Sequence, residues 1–230
     1  MAILFVPGFM LDAELWHEVE PMLRVYGPAF HADLSKDASI ADMARRALAG
    51  APSNFVLIGF SMGGYVAREI VRQAPERVSA LILIATSARE GSAAQARRKA
   101  AVGQHTAPEA FKGLSTAVIR SSLHPDNADR EDIIFSIQAM SQRLGLAVFE
   151  RQSLLVRRDE RGELGSISCP SFVIAGDRDR LRSRAEAIEL HQGLAGSAFA
   201  VVEGVGHMIP LEAPRALSEI IIDWLSEMSR

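Results

Sequence analysis

Three kinds of side chain in this sequence suit nucleophilic catalysis: a glycine-flanked serine, a histidine in a loop, and two aspartates in a turn. Ser61 stands in Gly59-Phe60-Ser61-Met62-Gly63, after the strand-like run 54–58 and before a helical pattern over 62–73. A G-x-S-x-G pentapeptide in that setting predicts a tight strand-to-helix turn. Such a turn strains the serine backbone and needs glycines, because side chains beside it would meet neighbouring elements. It lifts the hydroxyl past the carboxyl edge of a sheet, where open α/β sheets place ligands. The helix that follows aims its N-terminal dipole at the same point and favours developing negative charge.

A serine hydroxyl is a weak nucleophile until a base takes its proton. Of the six histidines, His207 lies in Val205-Gly206-His207-Met208-Ile209-Pro210, directly after the last strand pattern. A loop there also emerges at the carboxyl edge. His17 and His191 fall in helical patterns, His31 in a short strand, and His105 in a polar stretch. His124, in His124-Pro125-Asp126, is a candidate to look into a cleft from above. A base of this kind needs an acid to fix its tautomer. Gly176-Asp177-Arg178-Asp179 follows the strand pattern 171–175 and supplies two aspartates, and either also suits a turn.

The elements that must position these groups follow from the apolar rhythm. Strands are predicted at 3–6, 28–33, 54–58, 80–85, 171–175 and 198–202, as short apolar runs without polar alternation where both faces are covered. Helices are predicted at 12–24, 40–48 with Ser39 as cap, 62–73, 183–191 and 214–228. Strands separated by helices give βαβ units and a parallel sheet. Between 88 and 165 only helical patterns occur, at 94–101, 108–119, 130–140 and 146–155. Two parts are therefore expected: a core formed by 1–87 and 166–230, and a helical cap inserted at 88–165. The basic run Arg97-Arg98-Lys99 is expected to be a solvated cap face.

Composition bounds the function. The chain has 230 residues, 48% apolar and 23% charged, with a net charge of −3. That length buries a sizeable core without staples, and the charge gives no nucleic-acid footprint. No apolar run approaches the roughly 20 residues of a membrane span, and the N-terminus lacks a basic region before its apolar start. A cytoplasmic protein is expected. The single cysteine, Cys169, rules out an internal disulfide and a thiol-ligated metal site, and is expected to be a small buried residue. No H-E-x-x-H and no strand-linked G-x-G-x-x-G occurs, so neither a metal nor a dinucleotide cofactor is implied.

The stretches FVPGFMLDAELW, IGFSMGGYVA, PERVSALILI, AGDRDR and GVGHMIPLEAP together resemble the α/β-hydrolase superfamily, especially its small capped esterases and enol-lactonases. The resemblance covers 3–16, 53–86 and 170–224, and chain order Ser, Asp, His agrees with it. It implies an α/β-hydrolase fold with about six mostly parallel strands, flanking helices and an inserted helical cap. It implies Ser61 as nucleophile, His207 as general base and acid, and Asp179 rather than Asp177 as the acid. The oxyanion hole would be the backbone N–H groups of Phe9 and Met62. Pro7-Gly8 stands where the family usually has His-Gly, and the family's first two strands are missing.

The function expected is hydrolysis of a small carboxylic ester through an acyl-enzyme, without cofactor. Met10, Phe60, His124 and Met208 are expected to line the substrate pocket, with Phe9 and Met62 beside them. The alternatives on the same triad are an enol-lactonase or a C–C hydrolase or lyase. One of another class is a ligand receptor with vestigial hydrolysis. The expected partner is a small-molecule ester, with no nucleic acid and no membrane, in a monomer or homodimer.

Overall fold

The computed structural model describes residues 2–91 and 110–228. The predicted helix at 94–101, the basic run 97–99 and His105 lie outside the described residues. Among the described residues six strands form one sheet: β1 (Ala2–Val6), β2 (Ala29–His31), β3 (Phe55–Phe60), β4 (Val78–Ile84), β5 (Ser171–Gly176) and β6 (Ala198–Val202). Their order is β2-β1-β3-β4-β5-β6 and every pairing is parallel. Every residue of β1, β3 and β5 is buried, which is why these segments are apolar apart from Ser171 at the start of β5.

Alternation along the strands separates two cores. Ile3, Phe5, Val56, Ile58, Ala80 and Ile82 face one side, against Trp16 and Leu217, Ile221 and Leu225. Leu4, Val6, Leu57, Leu81 and Leu83 face the other, against Met43, Val66, Ile70 and Leu190. The first side is covered by the C-terminal helix. The second is covered by helices that follow β2, β3 and β5.

Among the described residues the helices are α1 (Glu20–Leu23), α2 (Ile40–Gly50), α3 (Met62–Gln73), α4 (Thr116–Ser122), α5 (Glu131–Ser153), α6 (Arg184–Gly193), α7 (Ile209–Glu212) and α8 (Pro214–Met228). Ser39 caps α2 by accepting from the Asp42 N–H at 3.1 Å. Ser183 and Glu186 form a reciprocal capping box on α6.

Four predicted helices differ. The helix expected at 12–24 is split into short 3₁₀ turns at Ala13–Trp16 and Arg24–Tyr26 around α1. Pro21 lacks an N–H, so it fits the first turn of a new helix and cannot continue an old one. The helices expected at 130–140 and 146–155 are one element, α5, broken locally where Gly145 takes φ 79° and ψ 173°. Of the helix expected at 108–119, residues 108 and 109 lie outside the described residues, and 110–115 are not α-helical; α4 starts at Thr116, where the Ser115 side chain accepts from the Val118 N–H. Cys169 is half-buried rather than fully buried.

The helical segment between β4 and β5 leaves and rejoins the sheet through paired connections. Gly91 N–H donates to the Arg157 carbonyl and Glu160 N–H to the Ala88 carbonyl, both at 2.8 Å. Arg68, fully buried on α3, donates to Glu160 at 2.7 Å and to the Ser87 carbonyl at 2.9 Å, binding both connections to the core. Burial pushes the Arg68 guanidinium down, against the opposing pull of Glu160.

Candidate active site

Ser61 adopts φ 53° and ψ −113°, a left-handed conformation that side chains rarely take. Three hydrogen bonds hold it there. Its N–H donates to the Ile84 carbonyl at 2.9 Å, and its carbonyl accepts from the Gly64 N–H at 3.0 Å and the Thr86 hydroxyl at 2.7 Å. The glycines are required by close approach. A Cβ at Gly59 would lie 2.7 Å from the Ala67 Cβ, and one at Gly63 would overlap the Val6 and Pro7 carbonyl oxygens. Gly63→Ala therefore forces two backbone segments apart. It is expected to cost about 3 kcal/mol and lower the thermal midpoint by roughly 6–12 °C, measured by calorimetry.

His207 is 5% exposed and sits in the loop after β6. Its Nε2 lies 2.9 Å from the Ser61 Oγ, and its Nδ1 lies 2.7 Å from the Asp179 Oδ2. The other Asp179 oxygen accepts from the Leu181 and Arg182 N–H groups at 2.8 and 2.9 Å. Those two donors fix the plane of the carboxylate. Asp177 points elsewhere: its Oδ1 accepts from the Val205 N–H at 3.0 Å and ties the β5 turn to the histidine loop. Burial pushes the Asp177 carboxyl up, but the Val205 and Gly204 N–H groups outweigh it and leave it below its ordinary value. Ser61, His207 and Asp179 are thus brought together, and Asp177 is not part of the chain of contacts.

The loop after β1 packs against the start of α3, since Gly63 abuts the backbone of Val6 and Pro7. Phe9 packs against the same core cluster as Met62, the first residue of α3. N–H groups in a first helical turn have no partner within the helix. Met10 takes φ 56°, and its N–H donates to the Gln152 side chain at 2.8 Å. Gln152, 2% exposed near the end of α5, also donates to the Leu34 carbonyl at 3.2 Å.

The apolar candidates divide. Met10 packs with Leu146, Val148 and Phe149 of α5, and Phe9 and Phe111 flank the Phe149 ring at 5.7 and 5.6 Å. Phe60 is fully buried between Trp16 and His207, with ring centroids 6.5 and 5.2 Å away. Phe60 and Met208 belong to a cluster that continues from the sheet into Ile119, Leu123, Ile137 and Met140. The Met62 side chain packs into the opposite core, with Val6 and Val66. The His124 ring accepts from the Asp126 N–H at 3.1 Å, and its backbone lies against Gly206. His31 pairs with Glu20 at 2.9 Å and His191 with Ser197 at 2.7 Å; neither touches Ser61.

Sequence reasoning missed Thr86, Ser122, Gln152 and Glu212, which hold the loops of this site. Their signal is faint, because a polar side chain such as Gln152 or Glu212 looks the same whether solvated or bracing a distant loop, Thr86 lies in a loop, and Ser122 acts through its backbone carbonyl. Among the described residues no group of three or more His, Cys, Asp or Glu is arranged to hold a metal. No described helix is long and apolar enough to cross a membrane. An open groove of about 560 Å³, lined by Asp159, Arg161, Leu164, Glu189 and Gln192 among others, shares no residue with the site.

A parallel sheet with helices on both faces, and a strained serine at the end of its third strand, define a hydrolase-type fold. Residues 3–220 match the model of the alpha/beta hydrolase family, and the chain belongs to that family. The chain is 25% identical over 241 residues to a pimeloyl-[acyl-carrier protein] methyl ester esterase of Yersinia enterocolitica, across 98% of this chain and 93% of that protein. A thermophilic esterase from Thermogutta terrifontis superposes with a TM-score of 0.86 at 25% identity, covering 99% of this chain and 90% of that one. The enol-lactonase from Burkholderia xenovorans superposes with a TM-score of 0.86 at 20% identity, covering 98% and 91%, and shares the fold. The chain is an esterase-like member of the family.

Proposed function

We propose that the protein hydrolyses small carboxylic esters through a covalent acyl-enzyme on Ser61. The observation that carries this is the contact chain from Ser61 to His207 to Asp179, at 2.9 and 2.7 Å, on a backbone-strained serine. In the resting state the Ser61 hydroxyl donates to Nε2, and the Nδ1–H donates to Asp179. Ser61 Oγ attacks the ester carbonyl carbon while its proton passes to Nε2. The carbonyl oxygen gains negative charge, which the Phe9 and Met62 N–H groups stabilise; one such donor is worth about 3 kcal/mol of barrier. Collapse breaks the bond to the alkoxy group, which leaves with the proton from Nε2. Water then attacks the acyl-enzyme with His207 as base, and the acid is released. Asp179 stays ionised throughout and stabilises the imidazolium.

The Phe9, Phe111 and Phe149 rings, beside buried Met10, favour an apolar acyl group of modest size over a charged one. Hydrolysis of p-nitrophenyl esters from acetate to decanoate tests this. Repeated turnover, with kcat/KM highest for short chains, is the expected result. A single stoichiometric burst with no further turnover contradicts it.

Gln152 holds the oxyanion loop by its bond to the Met10 N–H. Gln152→Leu leaves that buried donor unpaired and frees the neighbouring Phe9 peptide. The expected result is a fall in kcat of about 10-fold, with a loss of stability of about 1–3 kcal/mol. Steady-state kinetics and chemical denaturation check the two numbers separately.

A further inference from the structure

We propose that Glu212 is a positioning residue for His207, acting as a brace that sets the general base against the helical segment above it. The inference rests on the proposed role of His207. Glu212 ends α7 and is buried, at 8% exposure, with no salt bridge among the described residues. Its carboxylate is satisfied by hydrogen bonds from two sides. One oxygen accepts from the Gly206 N–H at 3.0 Å and the Met208 N–H at 3.1 Å, the two peptides that flank His207. The other accepts from the His124 N–H at 2.8 Å and the Asn127 side chain at 2.9 Å.

The peptide of His207 itself completes the pattern. Its N–H donates to the Ser122 carbonyl at 2.7 Å, at the end of α4. Three consecutive N–H groups of the histidine loop are therefore bound alternately by Glu212, Ser122 and Glu212. Asn127 also donates to the Gly204 carbonyl at 3.3 Å. Gly206 fits because a Cβ there would lie 2.5 Å from the His124 nitrogen and 2.6 Å from the Ser122 oxygen. The turn 122–127 and the loop 204–208 are thus one hydrogen-bonded unit, with a single carboxylate at its centre.

The chemistry favours a carboxylate over an amide at this point. A carboxylate is acceptor-only on both oxygens and takes two donors on each. Glutamine keeps the volume but turns an NH₂ group toward one of the two donor pairs. That pair must then separate, and either the histidine loop or the turn above it moves. A base displaced by a fraction of an ångström loses its alignment with Ser61 Oγ, and catalysis is steeply sensitive to such displacement.

The test compares Glu212→Gln, Asn127→Ala and Ser61→Ala on a short p-nitrophenyl ester, with thermal midpoints measured in parallel. Glu212→Gln is expected to lower kcat by roughly 10- to 100-fold, by analogy with the loss of outer partners that orient metal-ligating histidines, with KM changed less than about threefold. Asn127→Ala removes one donor from the far side of the brace and is expected to lower kcat several-fold. A merely structural role would lower the thermal midpoint and leave kcat per folded molecule unchanged. A folded Glu212→Gln with wild-type kcat, or with a loss confined to KM, overturns the proposal. Where Glu212→Gln does not fold, wild-type kcat in Asn127→Ala overturns it instead. Retained turnover in Ser61→Ala would overturn the proposed function itself, a separate failure.

Discussion

Ser61→Ala is expected to abolish turnover, with kcat down by about 10⁵- to 10⁶-fold, and to leave the fold intact. The side chain removed is the proposed attacking group, and the oxyanion donors alone sustain only a small residue of catalysis. Stability should barely fall, because the three hydrogen bonds that pin residue 61 use its N–H and carbonyl. Ser61→Gly sharpens the prediction. At φ 53° and ψ −113° a glycine relieves strain that serine or alanine must bear. That variant should be as inactive as Ser61→Ala yet more stable, by about 1 kcal/mol. Gain of stability with loss of turnover would show backbone strain held in place for chemistry. Equal activity in Ser61→Ala would remove Ser61 from the reaction.

Asp179→Asn is expected to lower kcat by about 10⁴-fold, while Asp177→Asn lowers it less than about tenfold. The hydrogen bonds decide the difference. Leu181 and Arg182 N–H groups both donate to the Asp179 Oδ1, so an asparagine must keep its oxygen there. Its NH₂ then faces His207 Nδ1, where Oδ2 stood at 2.7 Å. The ring responds by placing its own proton on Nε2, which can no longer accept from Ser61. At Asp177 an asparagine oxygen still accepts from the Val205 N–H, and the loop keeps its shape. Steady-state kinetics on both variants settle the ranking. The reverse order would assign the acid to Asp177.

How much of this was readable from the sequence follows from the range of each interaction. The buried parallel strands announce themselves as continuous apolar runs, and their registers place Ser61, Asp179 and His207 at one edge. Ser39 and Ser183 mark helix starts because capping acts over three residues. The break at Pro21 follows from local chemistry, but the apolar spacing across 12–24 masks it. Gly145 looks like a terminus, yet α5 resumes after it, since one residue at φ 79° re-aims the chain without ending it. Gln152 and Glu212 were invisible for a different reason. The Met10 partner of Gln152 lies 142 residues away; Glu212 joins nearby Gly206 and Met208 to His124, 88 residues away, and no local pattern distinguishes such a brace from a solvated side chain.

The central claim is a covalent acyl intermediate on one serine, and intact-protein mass spectrometry tests it most directly. The protein is mixed with p-nitrophenyl acetate, quenched in acid during turnover, weighed, and digested to locate any adduct. One acetyl group per chain, on the peptide that carries Ser61 and absent in Ser61→Ala, is the predicted result. Steady turnover with no adduct, or an acetyl group on another residue while Ser61 stays free, would contradict it.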